Sequence, residues 1–159
     1  MRVIKWLDER FEEFIMVLLL TLISCVMMLQ VIMRYCFNSS LSWAEELCRY
    51  AFIWSAFLSI GFSIKNKSIL RVDTVMELMP GFIKTILKLF TQCIVVVFFI
   101  YLFYHSIAVI RAIRLSGQIS PAMGIPMYLI YASAMVGFFL TIIRSIQSTI
   151  GIIKESRKQ

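Results

Sequence analysis

Residues 34–50 read RYCFNSSLSWAEELCRY. Four charged residues, Arg34, Glu45, Glu46 and Arg49, stand here between two long apolar segments. Charge is costly inside hydrocarbon, so the stretch marks a water-facing connection at one side of a membrane. On either side of it the charges thin out. Phe14 to Met33 carries none, nor do Tyr50 to Ile64, Leu89 to Ile110 and Leu115 to Ile143. A helix rises about 1.5 Å per residue, so roughly 20 apolar residues cross the hydrocarbon core. The first, third and fourth runs reach that length unaided. The second has 15 residues and reaches it when its helix starts near Ser42 and carries Glu45, Glu46 and Arg49 in its outer turns.

Composition agrees: the chain is 60% hydrophobic and 16% charged, where a soluble domain carries about a quarter charged residues. The expected fold is all-α and integral to the membrane, with four tilted transmembrane helices over about 3–34, 42–64, 82–114 and 126–150. A short amphipathic interfacial helix at about 70–79 is expected between the second and third, and residues 1–159 form a single membrane domain. The first apolar run is too long for a signal peptide, and Gln30, Arg34 and Tyr35 follow it instead of a small-residue cleavage site. It is expected to be retained.

The net charge is +7, and its distribution sets an orientation. With both termini on one side, that side holds Arg2, Lys5, Arg10, Lys65, Lys67, Arg71, Lys84, Lys88, Arg144, Lys154, Arg157 and Lys158; the other holds only Arg34, Arg49, Arg111 and Arg114. The positive-inside rule then places both termini in the cytoplasm. Topology accounts for the basic balance, so a nucleic-acid partner is not required, while membrane lipids are partners by default.

Local patterns refine the helices. Trp6 suits the headgroup zone at the start of the first helix. Ser42-Trp43-Ala44-Glu45 fits a capping box opening the second helix, with Glu45 and Arg49 one turn apart and able to pair. Ala51, Ser55, Ser59 and Ser63 recur every four residues. Small residues at that spacing admit a close neighbour helix, and serines can equally bond back to their own helix; both readings stand open. Ser133 and Gly137 form a second small pair in the fourth helix. Between residues 65 and 80, Arg71 and Asp73 fall on the amphipathic segment, and Lys84 and Lys88 can snorkel from the third helix. Arg111 and Arg114 close that helix on the outer side. Residues 116–126, SGQISPAMGIP, form a compact turn through Pro121, Gly124 and Pro126, with Pro126 in the first turn of the fourth helix.

Reactive chemistry is sparse. The four cysteines, Cys25, Cys36, Cys48 and Cys93, form no CxxC pair, and His105 is the single histidine. That supports neither a metal centre nor a thiol redox motif, and no cofactor is expected. Cys36 and Cys48 both fall on the outer side, without flanking signs of a disulfide. No charge lies at mid-membrane depth, and no helix shows the mid-depth Gly/Pro break that transporters use to build a substrate site. Gln30 and His105 lie toward outer helix ends and Gln92 toward an inner one. Catalytic, substrate-binding and metal residues are therefore not assigned. In the outer connection, Glu45 can pair with Arg49, and Glu46 with Arg34 or an arginine closing the third helix. Such exposed pairs contribute under about 1 kcal/mol each, so their use is in orientation or docking.

Three segments together resemble the small membrane subunit, DctQ type, of tripartite ATP-independent periplasmic (TRAP) transporters. They are QVIMRYCFNSSLSWAEELCRYAFIW at 30–54, SILRVD at 68–73 and SPAMGIPMYLIY at 120–131. The family often has a histidine near the position of Ser68, where this chain departs from it. The resemblance implies a non-catalytic small permease subunit in the bacterial inner membrane. Its implied partners are a large M-type membrane subunit that carries an organic acid, a sialic acid or dicarboxylate for example, on a sodium gradient, and a soluble periplasmic P-type binding protein. Docking candidates are then Arg34, Trp43, Glu45, Glu46, Arg49, Ser55, Ser59, Ser133 and Gly137. The competing readings are a self-sufficient four-helix carrier or channel acting as an oligomer, and a membrane enzyme. Known small exporters carry an acid within the first helix, which Phe14 to Met33 lacks, and a thiol oxidase needs redox-spaced outer cysteines.

Overall fold

The computed structural model describes residues 2–65 and 81–156, and their side chains over 12–64 and 86–152. The interfacial helix expected at 70–79, with Arg71 and Asp73, lies outside the described residues, as do the side chains of Trp6 and Lys84. Four helices make up the described chain: α1 (Arg2–Cys36), α2 (Ser42–Lys65), α3 (Gly81–Ser116) and α4 (Tyr128–Ser156). Each contains a segment long and apolar enough to cross a membrane: Glu12–Cys36, Ser42–Ile64, Ile86–Ser116 and Tyr128–Ile152. α4 starts two residues after the expected position. Pro126 stays outside it, in an isolated bridge with Ile119, and its carbonyl accepts the Leu129 N–H at 3.1 Å.

The helices stand in a row, α1–α2–α4–α3, since the principal contacts are α1 with α2, α2 with α4, and α4 with α3. α2 and α4 form the core of the row and are the more buried spans, whereas α1 and α3 flank it and are largely open. α2 and α4 run parallel. Gly61 lies against Thr141 and Leu140, and Gly137 against Phe57. Gly137 permits the closest approach: a β-carbon there would stand 2.7 Å from both the Cβ and the carbonyl oxygen of Phe57. Ser133, Gly137, Thr141 and Ser145 follow one another every fourth residue, and all are buried. This stripe is the seam on which α4 receives its neighbours. Beside it, Phe57 and Phe99 set their rings on Phe138, with centroids 5.5 and 5.9 Å away.

Candidate functional site

The hydrogen bonds that described side chains make between helices, or to the turn, gather in two layers. At the end of the row remote from the termini, Glu46 projects from the first turns of α2 and is 6% exposed. Its Oε2 accepts from the Ser120 hydroxyl at 2.5 Å and from the backbone N–H groups of Ala122 (3.0 Å) and Met123 (2.9 Å). Its Oε1 accepts from the Tyr50 hydroxyl at 2.8 Å. The turn between α3 and α4 is thereby wrapped around a carboxylate. Gly117 and Gly124 take left-handed conformations there (φ 63° and 66°), which glycine adopts at least cost. The Ser120 N–H donates to the Ile125 carbonyl and the Gly124 N–H to the Ser120 carbonyl. Pro121 is exposed at the tip of the turn.

This corrects the pairing expected in the outer connection. Among the described residues, Glu46 meets no arginine within ion-pair distance, because the turn and Tyr50 occupy both of its oxygens. Glu45 accepts from the Gln30 side-chain amide at 3.3 Å, tying α1 to α2, and forms no ion pair with Arg49. The capping box is likewise not formed: the Ala44 N–H donates to the Leu41 carbonyl, and the Ser42 hydroxyl has no hydrogen bond among the described residues. Arg34, Arg49, Arg111, Arg114 and Trp43 are exposed around this end. Cys48 is buried with its Sγ 3.8 Å from the Ile23 carbonyl, Cys36 is exposed, and both are free thiols.

The second layer lies toward the termini. Arg144 of α4 donates through Nε to Glu12 of α1 at 2.8 Å, with side chains only 7% and 4% exposed, and through Nη1 to Gln147 at 2.9 Å. Next to it, Gln92 of α3 is fully buried. Its Nε2 donates to the Ser145 carbonyl (3.0 Å) and Oγ (2.5 Å). Lys88, half-buried, stands one turn further toward the termini on α3. From Glu12 to Gln30 is 18 residues of α1, about 27 Å of rise, close to the roughly 30 Å of a hydrocarbon core. The two polar layers therefore stand at its two boundaries.

Of the small residues singled out in the sequence, Ser133 and Gly137 lie on the buried seam. Ser55 and Ser59 are half-exposed, and their hydroxyls donate at 2.8 Å to the carbonyls of Phe52 and Ala56 in their own helix. The back-bonding reading holds for them. Sequence reasoning missed Tyr50, Ser120, Glu12, Thr141 and Ser145. The last two were signalled by continuing the four-residue spacing beyond Gly137. Ser120 and Glu12, the distant partners of Glu46 and Arg144, had no local signal, being 74 and 132 residues away.

Among the described residues, no cluster of three or more His, Cys, Asp or Glu side chains could hold a metal ion. The buried charged groups, Glu12, Glu46 and Arg144, are engaged in joining helices to one another or to the α3–α4 turn. Four helices able to cross a membrane, joined by buried polar contacts, define a multi-pass helical membrane protein. Residues 23–155 match the family described as "Tripartite ATP-independent periplasmic transporters, DctQ component", and the chain belongs to that family of TRAP small permease proteins. It is 30% identical over 144 residues to a putative TRAP transporter small permease protein of Haemophilus influenzae, covering 90% of this chain and 88% of that one. It is 28% identical over 142 residues to the ectoine TRAP transporter small permease protein TeaB of Halomonas elongata, covering 87% and 72%. Over 158 residues it is 27% identical to the isethionate TRAP transporter permease protein DctMQ of Oleidesulfovibrio alaskensis. That match takes in 96% of this chain but spans only a quarter of the longer relative. The family is one of transport permease subunits and not of enzymes.

Proposed function

We propose that this chain is the non-catalytic small permease subunit of a sodium-driven TRAP transporter for organic acids, and that it anchors and orients the large transport subunit in the inner membrane. One observation carries the reading: the buried charges inside the spans are consumed by the bundle's own contacts. The chain holds its shape with them and offers no charged mid-depth group to a substrate or ion. The relatives are named for chemically different solutes, isethionate and ectoine among them. That variety favours a substrate chosen by other subunits, here of the sialic acid or dicarboxylate class. The basic residues on the termini side orient it with both termini cytoplasmic, so that Glu46 and its turn face the periplasm. The exposed Arg34, Arg49, Arg111 and Arg114 then form a basic rim facing the M-type subunit and the soluble P-type binding protein.

The test is reconstitution. The chain alone in liposomes should move no organic acid down a sodium gradient, and in native membranes it should be recovered bound to a much larger membrane protein. Sodium-driven uptake by the chain alone would establish the four-helix carrier instead. Arg34→Glu should lower transport by the assembled system more than Lys154→Glu does; equal transport at equal expression would remove the rim from the account.

A further inference from the structure

One face of the bundle does not suit a lipid surrounding. Tyr101 lies nine residues beyond Gln92 and ten before Arg111, about 14 Å above the termini-side polar layer. That is the middle of the hydrocarbon. Tyr101 is 61% exposed and Tyr104 71%, and His105 is exposed beside them. The His105 ring touches both, at centroid distances of 4.4 and 5.7 Å. Among the described residues, neither hydroxyl nor the imidazole meets a hydrogen-bond partner.

Such groups are strongly disfavoured in hydrocarbon, where neither water nor lipid tails can bond to them. Tyrosine suits the ends of a span, where its hydroxyl reaches the headgroups; here the ring stands at the centre. The other flank of the row is different. At matching depth on α1, Thr21 and Ser24 bond to the carbonyls of Val17 and Leu20 in their own helix, so that flank is compatible with lipid. A tyrosine hydroxyl is too far from its own backbone for that escape.

We propose that the Tyr101–Tyr104–His105 face of α3 is the seam on which a transmembrane helix of the large permease subunit docks. That helix would bring a hydrogen-bond acceptor, a carboxylate, amide or hydroxyl oxygen, to mid-depth. The match is one of hydrogen-bonding polarity: two phenol O–H groups and an imidazole N–H converge as donors within one turn of helix. Phe90, Cys93, Ile94, Val97, Phe98 and Tyr101 line an apolar groove on the same helix, which extends the seam toward the termini side. A homologous unit is contained within a much longer permease chain, so further permease sequence beside such a bundle has a precedent. The inference rests on the assembly role proposed above and adds the face on which assembly occurs.

Photo-crosslinking tests it with the tyrosines left intact. p-Benzoylphenylalanine is placed at Val97 or Ala108, in the chain co-expressed with the large membrane subunit of its transporter. Irradiation of intact membranes should join both positions to the large subunit. In parallel, the Tyr101→Phe, Tyr104→Phe, His105→Leu triple variant should be recovered with the large subunit about fivefold less than the wild type, while remaining monodisperse when purified alone. Crosslinks only to a second copy of this chain, or to lipid, would overturn the proposal. So would undiminished recovery of the triple variant. A wild-type chain that does not co-purify with the large subunit strikes the assembly reading itself, whereas normal co-purification without α3 crosslinks strikes only the face.

Discussion

Gly137 and Gly61 sit on the same helix crossing, and replacing each by alanine should give opposite results. At Gly137 the new methyl would lie 2.7 Å from the Phe57 Cβ and carbonyl oxygen and 3.0 Å from its carbonyl carbon. Carbon atoms settle at about 3.5–4.0 Å, so α2 must retreat by roughly 1 Å along a contact made partly by backbone, which cannot turn aside. Overpacking of this kind costs about 1–3 kcal/mol, and a retreat of that size loosens the neighbouring contacts further. Alanine returns up to about 1 kcal/mol of helix propensity, leaving Gly137→Ala destabilised by about 1–2 kcal/mol. At Gly61 the same methyl would meet Thr141 and Leu140 at 3.6–3.7 Å, an ordinary contact distance. Gly61→Ala should therefore be neutral or stabilising by up to about 1 kcal/mol. The assay is thermal unfolding of the purified protein in detergent, where 1 kcal/mol corresponds to roughly 2–4 °C for a chain of this size. A Tm for Gly137→Ala equal to or above the wild type would refute the reasoning. So would an equal fall for both variants.

Three further outcomes are expected. Glu46→Ala should free the α3–α4 turn, raising hydrogen exchange at the Ala122 and Met123 amides by about tenfold or more; unchanged exchange would show that the turn holds without the carboxylate. Glu12→Gln should destabilise the bundle by weakening the buried ion pair with Arg144, and the Glu12→Leu, Arg144→Leu pair should cost less than the sum of the two single changes to leucine. A double-mutant cycle with additive effects would contradict that pairing. Gln92→Leu should cost about 1–3 kcal/mol by leaving the buried Ser145 hydroxyl without its Gln92 donor, seen as a lower Tm, whereas Thr91→Val, at a half-exposed site whose hydroxyl bonds to the Leu87 carbonyl of its own helix, should leave it unchanged.

The helices were legible because lipid imposes a long run without charge; three such runs are plain in the sequence, and the second span reaches its length once the helix starts near Ser42. Ser133 and Gly137 were legible for a related reason, since close helix approach requires small residues at a fixed spacing. The polar contacts were not. Glu46 stands one turn from Tyr50, and the sequence reading paired it with Arg34 or an arginine closing the third helix; the carboxylate instead serves the turn that follows that helix. Glu12 and Arg144 each look like solvated headgroup charges, and only the antiparallel return of the chain brings them together. Ser55 and Ser59 show the converse, a convincing stripe whose hydroxyls are occupied by their own backbone.

The order of the row has a consequence of its own. Read from either end it runs flank, core, core, flank, and its two central helices are parallel. The hairpins α1–α2 and α3–α4 thus repeat one topology, a flanking helix that runs away from the termini and a core helix that returns, although their sequences share no visible repeat. A neighbour therefore meets a single open helix of the same direction at either flank. A neighbour that must choose one side has to distinguish them by side-chain chemistry, so what differs between the two flanks is what encodes the direction of assembly.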